Sequence, residues 1–166
     1  MLKLDDRDLQ ILSVLGAEGR ISKTELAERI NLSPSPCWER LKRLEKAGMI
    51  TGYHAEFALK KIASHITVFV TAELADHTAA SFQTFERIVR DMDEVTGCWA
   101  LGGGFDYLLE IVSRDIDRYQ RLVDELLTGG AGLKRYYTYV VTKAVKRSHT
   151  PPLAALLDMT ADENLG

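Results

Sequence analysis

Residues 33–48 read SPSPCWERLKRLEKAG, with two prolines in the first four positions and then a charged run. Proline is tolerated in the first turn of a helix, because the amide groups there have no intrahelical partner. The stretch therefore predicts a helix that begins after a Ser33 cap. At about 100° per residue, Cys37, Leu41 and Leu44 share one apolar side. The opposite, polar side carries Ser35, Glu39, Lys42, Arg43 and Lys46.

Two capped helices are predicted before this one. Asp5 is placed to cap the first, and Ser22 with Glu25 forms the S-x-x-E capping box of the second. Asn31 then tolerates the left-handed conformation that commonly follows a helix. Two helices joined by a short turn follow the helix-turn-helix plan, whose second helix enters the major groove of DNA. A solvated helix face is the alternative interpretation of the basic stripe, but this context favours DNA binding.

The polar face of the third helix supplies the candidate DNA contacts. Ser35, Trp38 and Glu39 lie near the helix N-terminus and are predicted to reach base edges, whereas the cations further along are predicted to contact phosphates. Arg40 lies nearer the packed side, so both a phosphate contact and an internal salt bridge stay open. The full candidate set is Ser33, Ser35, Pro36, Trp38, Glu39, Arg40, Lys42, Arg43 and Lys46.

The next segment, MITGYHAEF at 49–57, alternates in the manner of a short strand or hairpin. A strand after the recognition helix predicts a winged helix-turn-helix domain over residues 1–57, followed by a linker over 58–65.

The remainder of the chain predicts a second domain over residues 66–146. Strand patterns at 66–74, 95–101, 105–113 and 133–145 alternate with helical patterns over 78–92 and after Asp115. The order β-α-β-β-α-β is that of the ferredoxin-like fold, so the fold class is α+β. Apolar residues on both strand faces indicate that the open sheet face is buried by another copy of the chain. The tail, 147–166, carries an apolar patch at Leu153, Leu156 and Leu157, which either packs on a partner or is disordered.

Charge and composition narrow the function classes. The formal net charge is −3, but residues 1–61 hold 11 Lys/Arg against 9 Asp/Glu, while the remainder holds 10 against 15. Positive charge is therefore local to the predicted DNA-binding part. Cys37 and Cys98 form no CxxC pair, so no metal or iron–sulfur site is predicted. The charged N-terminus is unlike a signal peptide, and no apolar run reaches membrane-spanning length. We expect a cytoplasmic protein without a cofactor.

Several motifs together resemble one family. They are L-D-x-x-D-x-x-I-L from Leu4, G-R-I-S at 19–22, L-S-P-S-P-C-W-E-R-L-K-R-L-E at 32–45, G-x-I-x-G-Y at 48–53, G-F-D-Y-L-L at 104–109 and T-Y-V-V at 138–141. With them the chain resembles the Lrp/AsnC family of transcription regulators over residues 4–146. The resemblance implies a winged helix-turn-helix domain, a hinge strand and a ligand-binding domain of ferredoxin-like fold. It also implies dimers that assemble into octamers or related rings.

The resemblance also implies where a small effector binds. An amino acid or a related molecule would lie between regulatory domains of neighbouring dimers and change assembly or DNA affinity. One departure is that many members have a carboxylate where this chain has Gly104, which argues against a leucine-like response. Glycine lets a ligand approach backbone amides, although a plain hairpin turn is the alternative. The implied effector residues are Gly102, Gly103, Gly104, Phe105, Asp106, Tyr107, Thr138, Tyr139, Val140 and Val141.

Two other function classes stay open from sequence. An enzyme on the second domain would need a partner for Asp106, and its own motif supplies neither a histidine nor a second carboxylate at catalytic spacing. A helix-turn-helix that binds protein is disfavoured by the basic stripe. The sequence therefore predicts a sequence-specific DNA-binding regulator that is not an enzyme.

Overall fold

The computed structural model describes residues 2–148 and 150–157. The chain forms two compact units. The first draws its described residues from Met1–Glu56 and Lys146–Gly166, and the second is Phe57–Val145. The chain thus leaves the first unit, builds the second, and returns to the first. Within the described ranges, no helix has both the length and the apolarity needed to cross a bilayer.

Three helices form the core of the first unit: α1 (Asp6–Ala17), α2 (Lys23–Arg29) and α3 (Pro34–Lys46). Asp5 caps α1 in a reciprocal capping box with Asp8. The Ser22 hydroxyl accepts a bond from the Glu25 N–H at 3.1 Å, as predicted, while the Glu25 carboxylate pairs with Arg29. Asn31 adopts a φ of 52°, which makes the predicted left-handed turn between α2 and α3. The buried core consists of Ile11, Leu26, Ala27, Ile30, Cys37, Leu41 and Leu44.

The predicted strand over 49–57 is wrong. Residues 50–58 adopt no regular structure, and Tyr53 and Phe57 are exposed. A strand is defined by its ladder partner, and these residues pair with no other strand in the part of the chain that the structure describes. The predicted linker also contains a single helical turn, α4 (Leu59–Ile62).

The second unit has the predicted β-α-β-β-α-β order: β1 (Ile66–Leu74), α5 (Ala79–Arg90), β2 (Val95–Ala100), β3 (Tyr107–Ser113), α6 (Ile116–Thr128) and β4 (Leu133–Val140). Its sheet has the order β2-β3-β1-β4, and every neighbouring pair is antiparallel. The ferredoxin-like prediction is confirmed. The last strand ends at Val140 rather than Val145, because Val141 donates to the Thr67 carbonyl near the start of β1 and little of β1 remains to pair beyond it.

The two faces of the sheet differ. One face packs under α5 and α6, where Val68, Phe85, Ile111 and Leu122 are fully buried. We call the other face the open face. On it, four residues that are paired in register form a row across the four strands: Trp99, Leu108, Thr71 and Tyr137. The ring residues at the two ends of this row are about half exposed, at 48% for Trp99 and 45% for Tyr137.

The C-terminal segment packs against its own chain. The short helix α7 (Leu153–Leu156) lies against α1, and a side chain at Gly16 would bring its Cβ to 3.0 Å from the Thr150 methyl group. The sequence left open whether the tail packs on a partner or is disordered, and the structure places α7 of that tail against α1 of the same chain. Its acidic end, 158–166, lies outside the described residues.

Candidate nucleic-acid interface and effector site

The start of α3 explains its proline pattern. Pro34 occupies the first helical position and Pro36 the third, and neither position needs an N–H group because the first turn has no intrahelical acceptor for it. Ser33 has the extended backbone of a cap, but in the described part of the chain its hydroxyl makes no capping bond. The predicted cap is wrong in this respect, because the third-position N–H that a serine usually holds is absent from Pro36.

The polar face of α3 is presented to solvent. Ser35, Pro36, Glu39, Lys42 and Lys46 are exposed, while the three predicted core residues of the helix are buried. Pro36 and Glu39 line a shallow groove of about 380 Å³ together with Arg40 and Arg43. The face therefore offers a hydroxyl and a carboxylate near the helix start and ammonium groups towards its end.

Arg40 and Arg43 are held by carboxylates of α1 and its cap. Arg40 Nη1 lies 2.7 Å from Asp5 Oδ2 and 2.9 Å from Asp8 Oδ1, and Arg43 Nη2 lies 2.5 Å from Asp8 Oδ2. The hydrogen bond from Arg40 lowers the pKa of Asp5. Of the two roles left open for Arg40, the structure shows the internal salt bridge. Arg43, predicted as a phosphate contact, is engaged inside the protein on one edge.

Trp38 lies between two cations. Lys23 Nζ is 3.3 Å from the centre of its ring and Lys42 Nζ is 5.0 Å away. The ring is half buried against the core of the first unit, so only part of it is available to a base edge. Lys23 is a cation beside the α3 surface that sequence reasoning missed. The available signal was its place at the first position of a capped helix.

Tyr53 ties the segment after α3 back onto that helix. Its hydroxyl donates a 2.9 Å hydrogen bond to Glu45. Partial desolvation of the phenol and the Glu45 carboxylate together raise the pKa of Tyr53 to about 12. The link holds the connecting chain near the C-terminal end of α3 although no wing strand forms there.

The predicted effector loop is an exposed turn with one anchored carboxylate. Gly102, Gly103 and Gly104 have open space where a side chain would lie, so no described neighbour requires glycine there. Asp106 Oδ2 accepts the Leu74 N–H at 2.7 Å and lies 3.1 Å from His77 Nε2. His77 is a loop partner that the sequence analysis missed, because it lies 29 residues away along the chain.

The remaining predicted effector residues divide between the two sheet faces. Thr138 shares a 2.5 Å hydrogen bond with Tyr119 of α6, and Tyr107 donates to Glu86 of α5 at 2.9 Å. Burial and Glu86 raise the pKa of Tyr107. Tyr139 lies on the open face with 54% of its surface exposed, as strand alternation requires. Val140 lies on the helix-covered face with Thr138, and Val141 lies on the open face with Tyr139. The Phe105 ring packs edge-on against the Tyr137 ring, with 5.5 Å between the ring centres.

Comparisons with known proteins assign the family. Residues 4–51 match a family model for a winged helix-turn-helix DNA-binding domain, and residues 67–151 match the model for the Lrp/AsnC ligand binding domain. The chain belongs to the Lrp/AsnC family. It is a DNA-binding transcriptional regulator with a ligand-binding domain, as predicted, and its family and relatives are regulators rather than enzymes.

Individual relatives of this Lrp/AsnC protein span nearly its whole length. It is 53% identical to the transcriptional regulatory protein DoeX of Halomonas elongata over 146 residues, covering 88% of this chain and 92% of the relative. It is 38% identical to the leucine-responsive regulatory protein of Escherichia coli, covering 88% and 89%. A crystal structure of a transcriptional regulator from Neisseria meningitidis in complex with L-Met superposes with a TM-score of 0.87, at 34% identity, covering 93% and 99%.

Proposed function

We propose that this regulator reads DNA through the outer face of α3 and that an amino acid or a close derivative modulates its DNA affinity or assembly. One observation carries the DNA-reading part. A helix that follows a capped helix and a tight turn is buried on one side and leaves its polar, lysine-bearing side open. That is the arrangement with which a second helix enters the major groove.

The contacts divide by position along α3. Ser35 and Glu39, near the helix start, are placed for base edges, since hydroxyl and carboxylate groups accept from exocyclic amines. Lys42, Lys46 and Lys23 are placed for phosphates, which take cations without regard to sequence. The rest of the proposed DNA-facing surface, around the base-contacting and phosphate-contacting side chains, is formed by Ser33, Pro36 and Trp38.

Replacing Lys42 by alanine should weaken binding to specific and random DNA by the same factor. A lost phosphate contact should also lower the slope of log affinity against log salt by about 0.9 for each subunit bound. Fluorescence anisotropy with labelled duplexes at several salt concentrations measures both. Lys61→Ala, which removes an equal charge from α4, is the control and should change neither. A loss confined to one sequence would contradict the phosphate role.

The proposed effector site is the turn at 102–106. Its open glycine backbone suits a carboxylate, because exposed amide groups in a turn can cradle an anion. Asp106, with 19% of its side chain exposed, suits the ammonium group. The names of the relatives support this chemistry, since one is leucine-responsive and another was crystallised with L-Met. Phe105 supplies apolar surface at the turn, where its ring lies 5.5 Å from that of Tyr137.

Asp106→Asn should abolish the rise in melting temperature that the effector causes. The asparagine oxygen can still accept the Leu74 N–H, so the fold is kept while the charge that attracts an ammonium group is removed. Thermal-shift assays with L-Met and the other amino acids would first select the strongest ligand of the wild-type protein. Asp93→Asn, an acidic residue outside the turn, is the control. A variant that keeps the full shift would exclude Asp106 from the site.

We further propose that two chains pair through their open faces and that such dimers assemble into octamers in the cytoplasm. Exposed aromatic groups support this pairing, since Trp99, Tyr137 and Tyr139 leave large ring surfaces in water. The Thr71 hydroxyl in the same row is buried without a hydrogen-bond partner among the described residues. A dimer would present two copies of α3 to half-sites about one turn of DNA apart.

A further inference from the structure

Asp8 is a carboxylate with no exposed surface in the first turn of α1. Burial of a charge is costly unless the charge is paired and hydrogen-bonded. Both oxygens of Asp8 are used: Oδ1 pairs with Arg40, and Oδ2 pairs with Arg43 and accepts the Asp5 N–H at 3.2 Å. Asp8 is therefore part of the packing between α1 and α3 rather than only a favourable charge at a helix start.

The four charged groups form a balanced cluster. Arg40 and Arg43 lie three residues apart on α3, so both point to the same side of the helix. Asp5 and Asp8 face them with two negative charges against two positive ones, over N–O distances of 2.5 to 2.9 Å. The cluster fixes the middle of α3 to the first turn of α1. We call these four residues the clamp.

The two arginines differ in how far they reach solvent. The Arg40 side chain is 28% exposed and contacts both acids. Arg43 is 44% exposed and contacts Asp8 through Nη2 alone among the described residues. A guanidinium group has donors on more than one edge. Arg43 is therefore fixed from inside through Nη2, and the same residue lines the groove beside Pro36 and Glu39.

We infer that Asp8 is a positioning residue for sequence recognition. It holds the remaining donors of Arg43 at one angle towards a DNA phosphate, and it thereby fixes how deeply α3 enters the major groove of DNA. This inference rests on the proposed use of α3 for DNA. A phosphate contact made by a fixed donor sets the register of the helix against the bases. A freely moving arginine would bind phosphate equally well but would not set that register.

The test is Asp8→Asn, which keeps the shape of the side chain and removes its charge. A duplex selected by the wild-type protein from a random-sequence library serves as the specific probe, with a scrambled duplex of the same composition beside it. We expect the ratio of specific to scrambled affinity to fall about tenfold, the cost of misreading one base pair. Binding to the scrambled duplex should stay within about twofold or become tighter, because Arg43 gains freedom to meet phosphates.

Asp6→Asn is the matched control. Asp6 is exposed in the same first turn of α1, so its substitution removes an equal charge without touching the clamp, and it should leave the affinity ratio unchanged. Both variants are measured at a temperature at which circular dichroism shows them folded. An unchanged ratio in folded Asp8→Asn would overturn the inference, because a residue that only stabilises the fold would give that result.

Arg43→Lys keeps the test decisive if Asp8→Asn does not fold. Lysine retains the charge, but its single ammonium group cannot bridge Asp8 and a phosphate with the geometry of a guanidinium fork. The ratio of specific to scrambled affinity should again fall about tenfold, and an unchanged ratio would overturn the inference. If the wild-type protein showed no salt-dependent DNA binding at all, the proposed function itself would fail, which is a different outcome.

Discussion

Tyr137→Lys should convert the proposed oligomer to a monomer and reduce DNA affinity by about two to four orders of magnitude. Tyr137 ends the aromatic row of the open face, and its partly exposed ring is proposed to pack on a second chain. A lysine there would bring a second cation into the proposed interface beside Arg135, whose guanidinium lies 5.8 Å from the Tyr137 ring, and a single chain tolerates this whereas a dimer does not. Loss of the second recognition helix removes the gain of bivalent binding, which is of order 10² to 10⁴.

Sedimentation velocity gives the mass, and anisotropy on the selected duplex gives the affinity. Tyr137→Phe is the control, since it keeps the ring that packs edge-on against Phe105 and should remain oligomeric. A Tyr137→Lys protein that still sediments as the wild type would show that the open face is not the interface. A monomer with full DNA affinity would instead contradict the need for two helices.

Features of the fold that depend on residues close together along the chain were predictable from the sequence. The caps of α1 and α2, the proline start of α3 and the turn at Asn31 each arise within four residues of chain. The β-α-β-β-α-β order followed from changes in apolar period, which every element shows by itself. The strand at 49–57 and the end of β4 were predicted wrongly, because a strand exists only where another strand is available to pair with it.

The candidate site shows the same limit at the level of side chains. Helical period identified the exposed face of α3, but it could not show that Asp8 holds Arg43, 35 residues away. It also could not place Lys23 over Trp38 or His77 beside Asp106. Side chains alternate between the two faces along β4, so Thr138 and Tyr139 point to opposite faces. The sequence therefore already indicated that the predicted effector residues are divided between the two sheet faces.

Leu44→Ala should unfold the first unit under conditions in which the second stays folded. Leu44 has no exposed surface and lies on the buried side of α3 among the core residues of all three helices. Truncation of a buried leucine to alanine costs about 2–5 kcal/mol, because it removes apolar contacts and leaves a cavity. A small domain has a total stability of about 5 kcal/mol at the low end of the usual range, so the loss is a large fraction of it.

The chain has two tryptophans, one in each unit, which lets the transitions be followed separately. With Trp99→Phe as background, Trp38 fluorescence reports the first unit, and with Trp38→Phe as background, Trp99 reports the second. Leu44→Ala should lower the urea midpoint in the first background only, and DNA binding should be lost with it. Leu44→Met is the control, because a swap of similar volume costs less than about 1.5 kcal/mol. Equal shifts of both transitions would show instead that the two units unfold as one, because separate cores cannot transmit the loss of a single buried side chain.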